Sequence, residues 1–460
     1  MRSMSHSRYG MDLTQGPTFK NLLVFVIPII ITSFLQQLYI TLGSVIVGSF
    51  AGKTALAAIG ATASLTNLLL NFFIGLSVGA TVTCAKYFGA GKIDMLDKAI
   101  HTSVMLSLFS GIALACIGGL FSKPLLVLMG TPDSVLNPAS WYMVVFFLGS
   151  PFSMLYNFGS GILRASGDTK RPLYILSLSG LVNIVVSLIC VCIFKLGVVG
   201  AALGTVSSQI FSSLLVLRCL VNSNTVFSLR IRDIKFHKEP LINIIKVGVP
   251  SGINGMLFSL ANVFLQSSIN SHEEAYIAGS AAGVNVENFI FLVMNAIEQA
   301  IVSFVGQNYG AKKYKRIDKV VLLAHLLGTA TTILMALFVL WKTEMLLALF
   351  NSDSEVIKSG VIRLDIVCKT CLLYLPTVLI SGALKGMERS TLPTIINIVF
   401  ICLTRVAWIL FVYPLNPTFE MIFYCFPVSW GVASLAQFIV YVIVRIIINK
   451  KQKIETISEV

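Results

Sequence analysis

Charge is what this chain has least of. Asp, Glu, Lys and Arg make up 12% of its 460 residues, about half the share a soluble protein usually carries, which excludes an ordinary water-facing surface. Acids are the scarcer sign, twenty against 34 bases, and only Glu287, Glu298 and Asp365 fall well inside apolar runs. Histidine is rarer still. Of five, His6, His237 and His272 lie outside the runs, His101 sits near a helix start, and His325 has no HxxxD or HExxH context. A membrane enzyme such as an acyltransferase or protease needs a nucleophile–base set or metal ligands at that depth, and neither pattern is present. The nine cysteines have no metal or redox spacing. Cys368 and Cys371 have the CxxC form but sit in an apolar helical run, where they read as small membrane-soluble residues. No basic cluster is interleaved with aromatics, so the net charge of +14 argues for lysine and arginine in cytoplasmic loops beside anionic lipid, not for nucleic acid.

What the chain does have is apolar length. Hydrophobic residues make up 56% and gather in runs of roughly 18–28, enough to cross a ~30 Å hydrocarbon core as helices. Helix satisfies every backbone N–H and C=O within its own segment, which lipid demands. Reading runs between breaker clusters predicts helices near 19–47, 54–85, 97–121, 135–162, 171–194 and 198–221. A second set is predicted near 241–270, 276–306, 318–341, 355–384, 392–413 and 420–448. The polar stretch VNSNTVFSLRIRDIKFHKEP at 221–240 is the natural linker. The expected organisation is a cytoplasmic tail 1–18, a six-helix bundle 19–221, a cytoplasmic linker 222–240, a second bundle 241–448 and a cytoplasmic tail 449–460. Because the polar start precedes a full-length span, the first helix is expected to be a signal anchor and not a cleaved leader. Twenty-six of the 34 lysines and arginines fall in the tails and in connections 2–3, 4–5, 6–7, 8–9 and 10–11. The alternate connections are assigned Lys53, Lys123, Lys195, Lys342, Lys358 and Arg363, leaving Lys369 and Arg405 inside spans. That bias places both termini in the cytoplasm of a multi-pass plasma-membrane protein.

The two sets are copies. YFGAGK at 87–92 lies 221 residues before NYGAKK at 308–313, Asn67 lies 221 before Asn288, and GILRASGDTKRP at 161–172 lies 221 before GALKGMERSTLP at 382–393. VIP at 26–28 matches GVP at 248–250 with one more residue of shift. Landmarks in order at one offset mark an internal repeat. Six spans is an even number, so both copies enter from the same side and are related by a pseudo-twofold axis along the membrane normal, with the cavity at their interface. The fold class is therefore an all-α integral membrane protein of twelve transmembrane helices in two six-helix bundles. The paired basic dodecapeptides are its cytoplasmic turns 4–5 and 10–11.

With VGQNYGA at 305–311 and LQQLY at 35–39, the chain resembles the multidrug and toxic compound extrusion transporters over about residues 17–448. The resemblance implies two bundles in a V, exporting small organic and often cationic compounds against inward Na⁺ or H⁺, with no cofactor beyond the coupling ion. It implies a lipid bilayer and a small-molecule substrate as the only partners of a chain expected to be monomeric. Members commonly carry an aspartate in a D-[TS]-x-x-V-G stretch of helix 1; here that stretch is GSVIVG at 43–48, with Gly43 in the carboxylate's place. The predicted helix 7 has no acid, and Asp365 lies nearer the start of helix 10 than the family's acidic position, where Tyr374 and other uncharged residues stand.

Coupling must then come from Glu298, Glu287 or Asp365. An ionised carboxylate at mid-membrane is costly, so it faces a cavity, pairs, or takes a proton. Glu287 and Glu298 are eleven residues apart, within about 20° of one helix face, beside Asn288, Asn295 and Gln299; local satisfaction by an amide is the alternative reading. Asp365 has Lys369 at i+4, the spacing of a compensated pair. Arg405 is an isolated intramembrane arginine, expected to find an acid or a cavity. Substrate-cavity candidates are Gln36, Tyr39, Asn67, Asn71, Asn183, Asn288 and Arg405, though amides bridge helices more often than they bind ligands. Phe72, Tyr156, Phe289 and Trp408 could offer aromatic faces to a cation, or simply pack. A flippase for a lipid-linked precursor is the nearest alternative function; it would need a wide cationic cavity.

Overall fold

A computed structural model describes residues 10–223 and 226–458, and nearly all of them are helical. Residues 1–9 of the expected tail, 224–225 of the linker and 459–460 lie outside the described residues. In chain order the spans are α1 Thr18–Phe50, α2 Lys53–Gly89, α3 Ile93–Leu128, α4 Asp133–Leu148 plus Ser150–Ala165, α5 Lys170–Ile193 and α6 Gly197–Val221. The second set is α7 Lys238–Ile269, α8 Glu274–Gly310, α9 Tyr314–Trp341, α10 Ser354–Leu373 plus Leu375–Gly386, α11 Thr391–Leu415 and α12 Phe419–Lys450. Among the described residues ten are long and apolar enough to cross a membrane as they stand, and counting each of the bent pairs α4 and α10 as one span brings the number to twelve. Each bend, 47° in α4 and 44° in α10, comes just before a proline, Pro151 or Pro376, which cannot donate to the preceding turn. The predicted runs locate every span; those of α2 and α8 stop four residues short, because these helices continue into polar sequence as far as Gly89 and Gly310.

The repeat is visible in backbone conformation as well as in sequence. Gly91 and Gly167 take left-handed φ values of 67° and 84°; at the same repeat positions Lys312 and Glu388 hold φ 56° and 60°. A non-glycine residue pays about 1–2 kcal/mol there, so the turn geometry has been kept where the glycine has not.

By its contacts the described chain forms two compact units. One runs up to Ser259 and includes Val302–Val320; the other holds Leu260–Ile301 and continues from Val321. The contact boundary therefore crosses α7, α8 and α9, whereas the repeat boundary lies in the 222–240 linker. Glycine explains the difference. Gly75 and Gly79 of α2 lie against Gly252 and Gly248 of α7, so close that a Cβ on any of the four would collide with the other helix's backbone. Small residues four apart on each helix let two backbones approach in this way. Further along, a Cβ on Gly89 would strike the Gln307 carbonyl, and one on Gly310 would strike that of Lys86. Residues 86 and 307, like 89 and 310, are repeat mates, so this crossing is reciprocal, as a pseudo-twofold contact requires.

Within the first unit, Phe147, Met143, Met154 and Leu114 form one apolar core; Ile100, Leu163, Phe227 and Leu229 belong to another, which seats the linker. The second unit is built around aromatics: Phe419, Phe423, Phe426 and Trp430 of α12 with Tyr276, Phe291 and Tyr374. Gly79→Leu is expected to destabilise the first unit by at least the ~1–3 kcal/mol typical of overpacking, read as a lowered thermal midpoint in detergent. Gly60→Leu, on the same helix but with nothing within 4 Å of its Cβ position, is the control and should leave the midpoint unchanged.

Candidate functional site

In the second unit the interior of α8 presents two carboxylates, Glu287 and Glu298, and both meet bases of α10. The eleven-residue spacing of Glu287 and Glu298 thus has its expected consequence of one shared face. Glu287 accepts Nη2–H of Arg363 at 2.6 Å and its Nε–H at 3.1 Å, a bidentate pair with both residues buried, 6% and 4% exposed. The third guanidinium nitrogen donates to Ser280 Oγ at 2.8 Å. Ser280 precedes Glu287 by seven residues, two helical turns along the same face. The guanidinium also lies 5.1 Å from the Phe423 ring centroid and 5.9 Å from that of Phe426.

Arg405 approaches the same Phe426 ring at 4.6 Å and donates to Asn262 Oδ1 at 3.0 Å. It is buried. The helix carrying it, α11, is wound into wide π turns on either side, Ile398–Leu403 and Trp408–Val412; such turns re-aim side chains and recur at functional sites. Two guanidiniums therefore share one phenyl ring, and the first of them holds the Glu287 carboxylate. Trp430 lies 5.0 Å from the Phe426 ring, and Tyr374, Trp430 and Phe291 pack against one another edge-on or tilted with centroids 5.4–6.0 Å apart.

Glu298 accepts from Lys385 Nζ at 2.7 Å in a pair that is only partly buried, with side chains 18% and 11% exposed. Gly382 makes this approach possible, since a Cβ there would press on Glu298 Cγ. The first-copy counterparts of Glu298 and Lys385, by the 221-residue offset, are Ser77 and Arg164. Arg164 donates to Ser160 Oγ at 3.3 Å. The acid exists in one copy, the base in both. Asp365 and Lys369 form their i,i+4 pair at 2.6 Å with side chains 47% and 61% exposed.

Two bases stand elsewhere than the sequence reading puts them. Arg363, assigned there to a connection, is buried in α10; Lys385, assigned to the cytoplasmic turn, is the partner of a membrane glutamate. A lone buried acid requires a nearby base, and that signal points to Arg363 and Lys385, two further bases of α10. Helical periodicity alone does not say which neighbour meets which.

The neutral candidates of the first copy do not converge. Tyr39 donates to the Ser177 carbonyl at 3.2 Å, with its ring lying against Gly180 of α5. Asn71 bridges to Ser259 Oγ at 3.0 Å, and Asn183 to Thr205 Oγ1 at 3.4 Å. Gln36 and Asn67 are exposed, and Asn288, the second-copy mate of Asn67, is half-buried. Trp408 donates its indole N–H to the Met421 carbonyl at 2.8 Å. Among the described residues, no three His, Cys, Asp or Glu side chains converge on a metal-sized site.

The first unit ends in a polar knot. Tyr87 donates to Glu239 at 3.2 Å and accepts from Asn243 at 2.8 Å. Gln307 and Asn308, both fully buried, hold the segment before α1 and the α4–α5 turn. In that turn Asp168 accepts the N–H groups of Lys170 and Arg171, each at 3.1 Å, and faces the Arg171 Nε at 3.1 Å. Burial raises the Asp168 carboxyl to about 6, while those N–H groups and the charges of Arg171 and Lys170 pull it down. A raised folded-state value means the folded turn binds the proton more tightly than the unfolded chain does. Its stabilisation is complete below about pH 4 and is lost as pH rises through 6. Asp168→Asn is expected to remove this dependence, on the order of 2 kcal/mol, seen as a flatter plot of thermal midpoint against pH between 4 and 7.

Comparison with known proteins agrees with this architecture. The MatE family model matches residues 28–189 and 250–410, two segments that are themselves one repeat apart. "Probable multidrug resistance protein YoeA" of Bacillus subtilis is 28% identical over 393 residues, 83% of this chain and 84% of that protein. "Probable multidrug resistance protein YpnP" of the same organism is 31% identical over 309 residues, 66% of this chain and 68% of that one. Among solved structures, the outward-facing conformation of a multidrug resistance MATE family transporter superposes with a TM-score of 0.90 at 22% identity, covering 97% of this chain and all of the other.

Proposed function

The chain belongs to the MatE family of multidrug and toxic compound extrusion transporters, and from that premise we propose that it is a secondary antiporter expelling small organic, amphipathic or cationic compounds in exchange for inward H⁺ or Na⁺. It is a multi-pass membrane transporter and not an enzyme. The proposal places it in the plasma membrane with both termini cytoplasmic, its two repeats alternating access to a substrate held between them.

The observation that carries the coupling is the Glu298–Lys385 pair. Of the two glutamates in the interior of α8, Glu287 is clamped by two guanidinium N–H groups, and that guanidinium shares a ring with a second one. Neutralising Glu287 would leave two positive charges around Phe426 without this anion, so Glu287 is assigned to holding the bundle together. Glu298 meets a flexible lysine and is partly open. A carboxylate in that position can hold Lys385, an incoming cation or a proton, and exchange among the three needs only a side-chain movement. Entry of one positive charge down a membrane potential supplies about 2.3 kcal/mol per 100 mV.

The relatives' names, both of multidrug resistance proteins, support organic compounds as cargo and do not favour a lipid-precursor flippase. The deciding experiment is dye efflux from reconstituted vesicles with pH and Na⁺ gradients imposed separately. One gradient should drive efflux above the control without a gradient; efflux driven by neither would overturn the antiporter reading.

A further inference from the structure

The segment just before α1 is tied chiefly to the other repeat. Leu13 is fully buried. Its N–H donates to Gln307 Oε1 at 2.9 Å, and its carbonyl accepts from Asn308 Nδ2 and Arg316 Nε at 3.1 Å each. Arg316 also donates to the carbonyls of Gln15 at 2.6 Å and Gly16 at 2.9 Å, and Lys313 Nζ donates to the Thr14 carbonyl at 2.9 Å. Gln307 completes the arrangement by donating to the Ala165 carbonyl at 2.7 Å. One short strand of backbone thus joins the end of α8 and the start of α9 to the α4–α5 turn.

On its own repeat's side the segment is seated differently. Apart from Met11, whose carbonyl sits where a Cβ on Gly167 would fall, and Gln15, whose carbonyl accepts from Asn21 Nδ2 at 3.0 Å, it borders a cavity of about 360 Å³ lined by Gln15, Asn21, Phe25, Thr169 and Lys170 among others. Most of its hydrogen bonds run to the second copy, and the free volume lies toward the first. A strap anchored covalently at Pro17 to α1, with room behind it, can withdraw with its own copy once the second copy's donors let go.

We propose that residues Met11–Gly16 form a latch across the Gly89–Gly310 crossing, and that opening of the transport path at this end of the membrane requires its release from Gln307, Asn308, Lys313 and Arg316. The proposal rests on the alternating-access reading above. The VGQNYGA stretch thereby acquires a role, because its two amides bind backbone carbonyl and N–H groups of the strap, which depend on the strap's path and not on its side chains. Closure then needs no particular residue at 12, 14 or 15.

The test is to introduce cysteines by Thr14→Cys and Lys313→Cys and join them with a short bis-maleimide. Amide hydrogen exchange at residues 300–310 is then followed in lipid nanodiscs, alongside dye efflux. Cross-linking should slow exchange at 300–310 by about tenfold or more and stop efflux. Wild type and the Thr14→Cys variant, treated alike, should keep both, while Lys313→Cys, which removes one of the strap's donors, should exchange faster and keep efflux. Arg316→Ala should speed exchange in the same segment, and Arg316→Lys should restore part of the protection. If the cross-linked protein exchanges at 300–310 as fast as the uncross-linked one, or transports at its rate, the latch is refuted. If exchange responds as expected while no variant moves dye under either gradient, the latch stands and the antiporter reading falls. Should the double variant fail to fold, the Arg316→Ala and Arg316→Lys exchange rates decide alone, and an unchanged rate in Arg316→Ala refutes the latch.

Discussion

Replacing Arg363 with alanine is expected to destabilise the second unit by about 3–5 kcal/mol, the cost of leaving one member of a buried ion pair without the other. Glu287 would lose both donors while remaining 6% exposed, and Ser280 would lose its guanidinium as well. The apolar double variant Glu287→Leu/Arg363→Met should recover most of the loss, because it removes the charge along with its partner. Thermal unfolding followed by tryptophan emission suits this region, since Trp430 lies in the same aromatic cluster. An Arg363→Ala protein melting with wild type would show that the pair contributes little and that Glu287 is free to serve the transport cycle. The roles assigned to the two glutamates would then have to be exchanged.

Glu298→Gln is expected to do the opposite: fold normally and lose ion-driven transport by at least tenfold, about 1.4 kcal/mol or more of transition-state stabilisation. Glutamine keeps the volume that Gly382 accommodates and can still accept from Lys385, but it cannot take up or release a proton and binds a cation weakly. Downhill leak of dye should persist while dependence on the imposed gradient disappears. Full gradient-driven efflux in Glu298→Gln vesicles would remove this carboxylate from coupling, whatever its neighbours do.

Much of this architecture is legible in the amino-acid order, because lipid imposes so direct a rule. A run of twenty apolar residues has few options, and a repeat at a constant offset shows which runs correspond. In sequence the landmarks YFGAGK and NYGAKK only align the copies; in space they cross each other, Gly89 against Gln307 and Gly310 against Lys86. Nothing in the residue pattern says that mates in a repeat touch. The candidate site is legible as far as one chain segment can carry it. Glu287 and Glu298 share a face of α8, and Asp365 pairs with Lys369 four residues on, both consequences of helical geometry. Partners on another helix are not legible. Charge near the start of a run looks like a boundary, which is where the sequence puts Arg363, whereas three hydrogen bonds draw it inside. Lys385 looks like a headgroup anchor because most bases in such turns are. The π turns around Arg405 have no signature in TIINIVFICLTRVAWILFV, where no Pro or Gly interrupts residues 394–412.

The glycine contacts between α2 and α7 have an energetic consequence for the proposed alternating access, in which the repeats part and rejoin. Bare backbones meeting face to face bury little hydrocarbon, and their attraction comes from many weak dispersion contacts and Cα–H···O approaches of about half a kcal/mol each. At the four glycines separation uncovers backbone only, and the large side chains it would expose are those beside them, Leu76 and Val82 of α2 with Ile244 and Val247 of α7. Under the antiporter proposal the glycines hold the work of opening down toward the few kcal/mol that one or two ions release in crossing the bilayer, and the backbone part of the seam can close again without having to find a jigsaw fit.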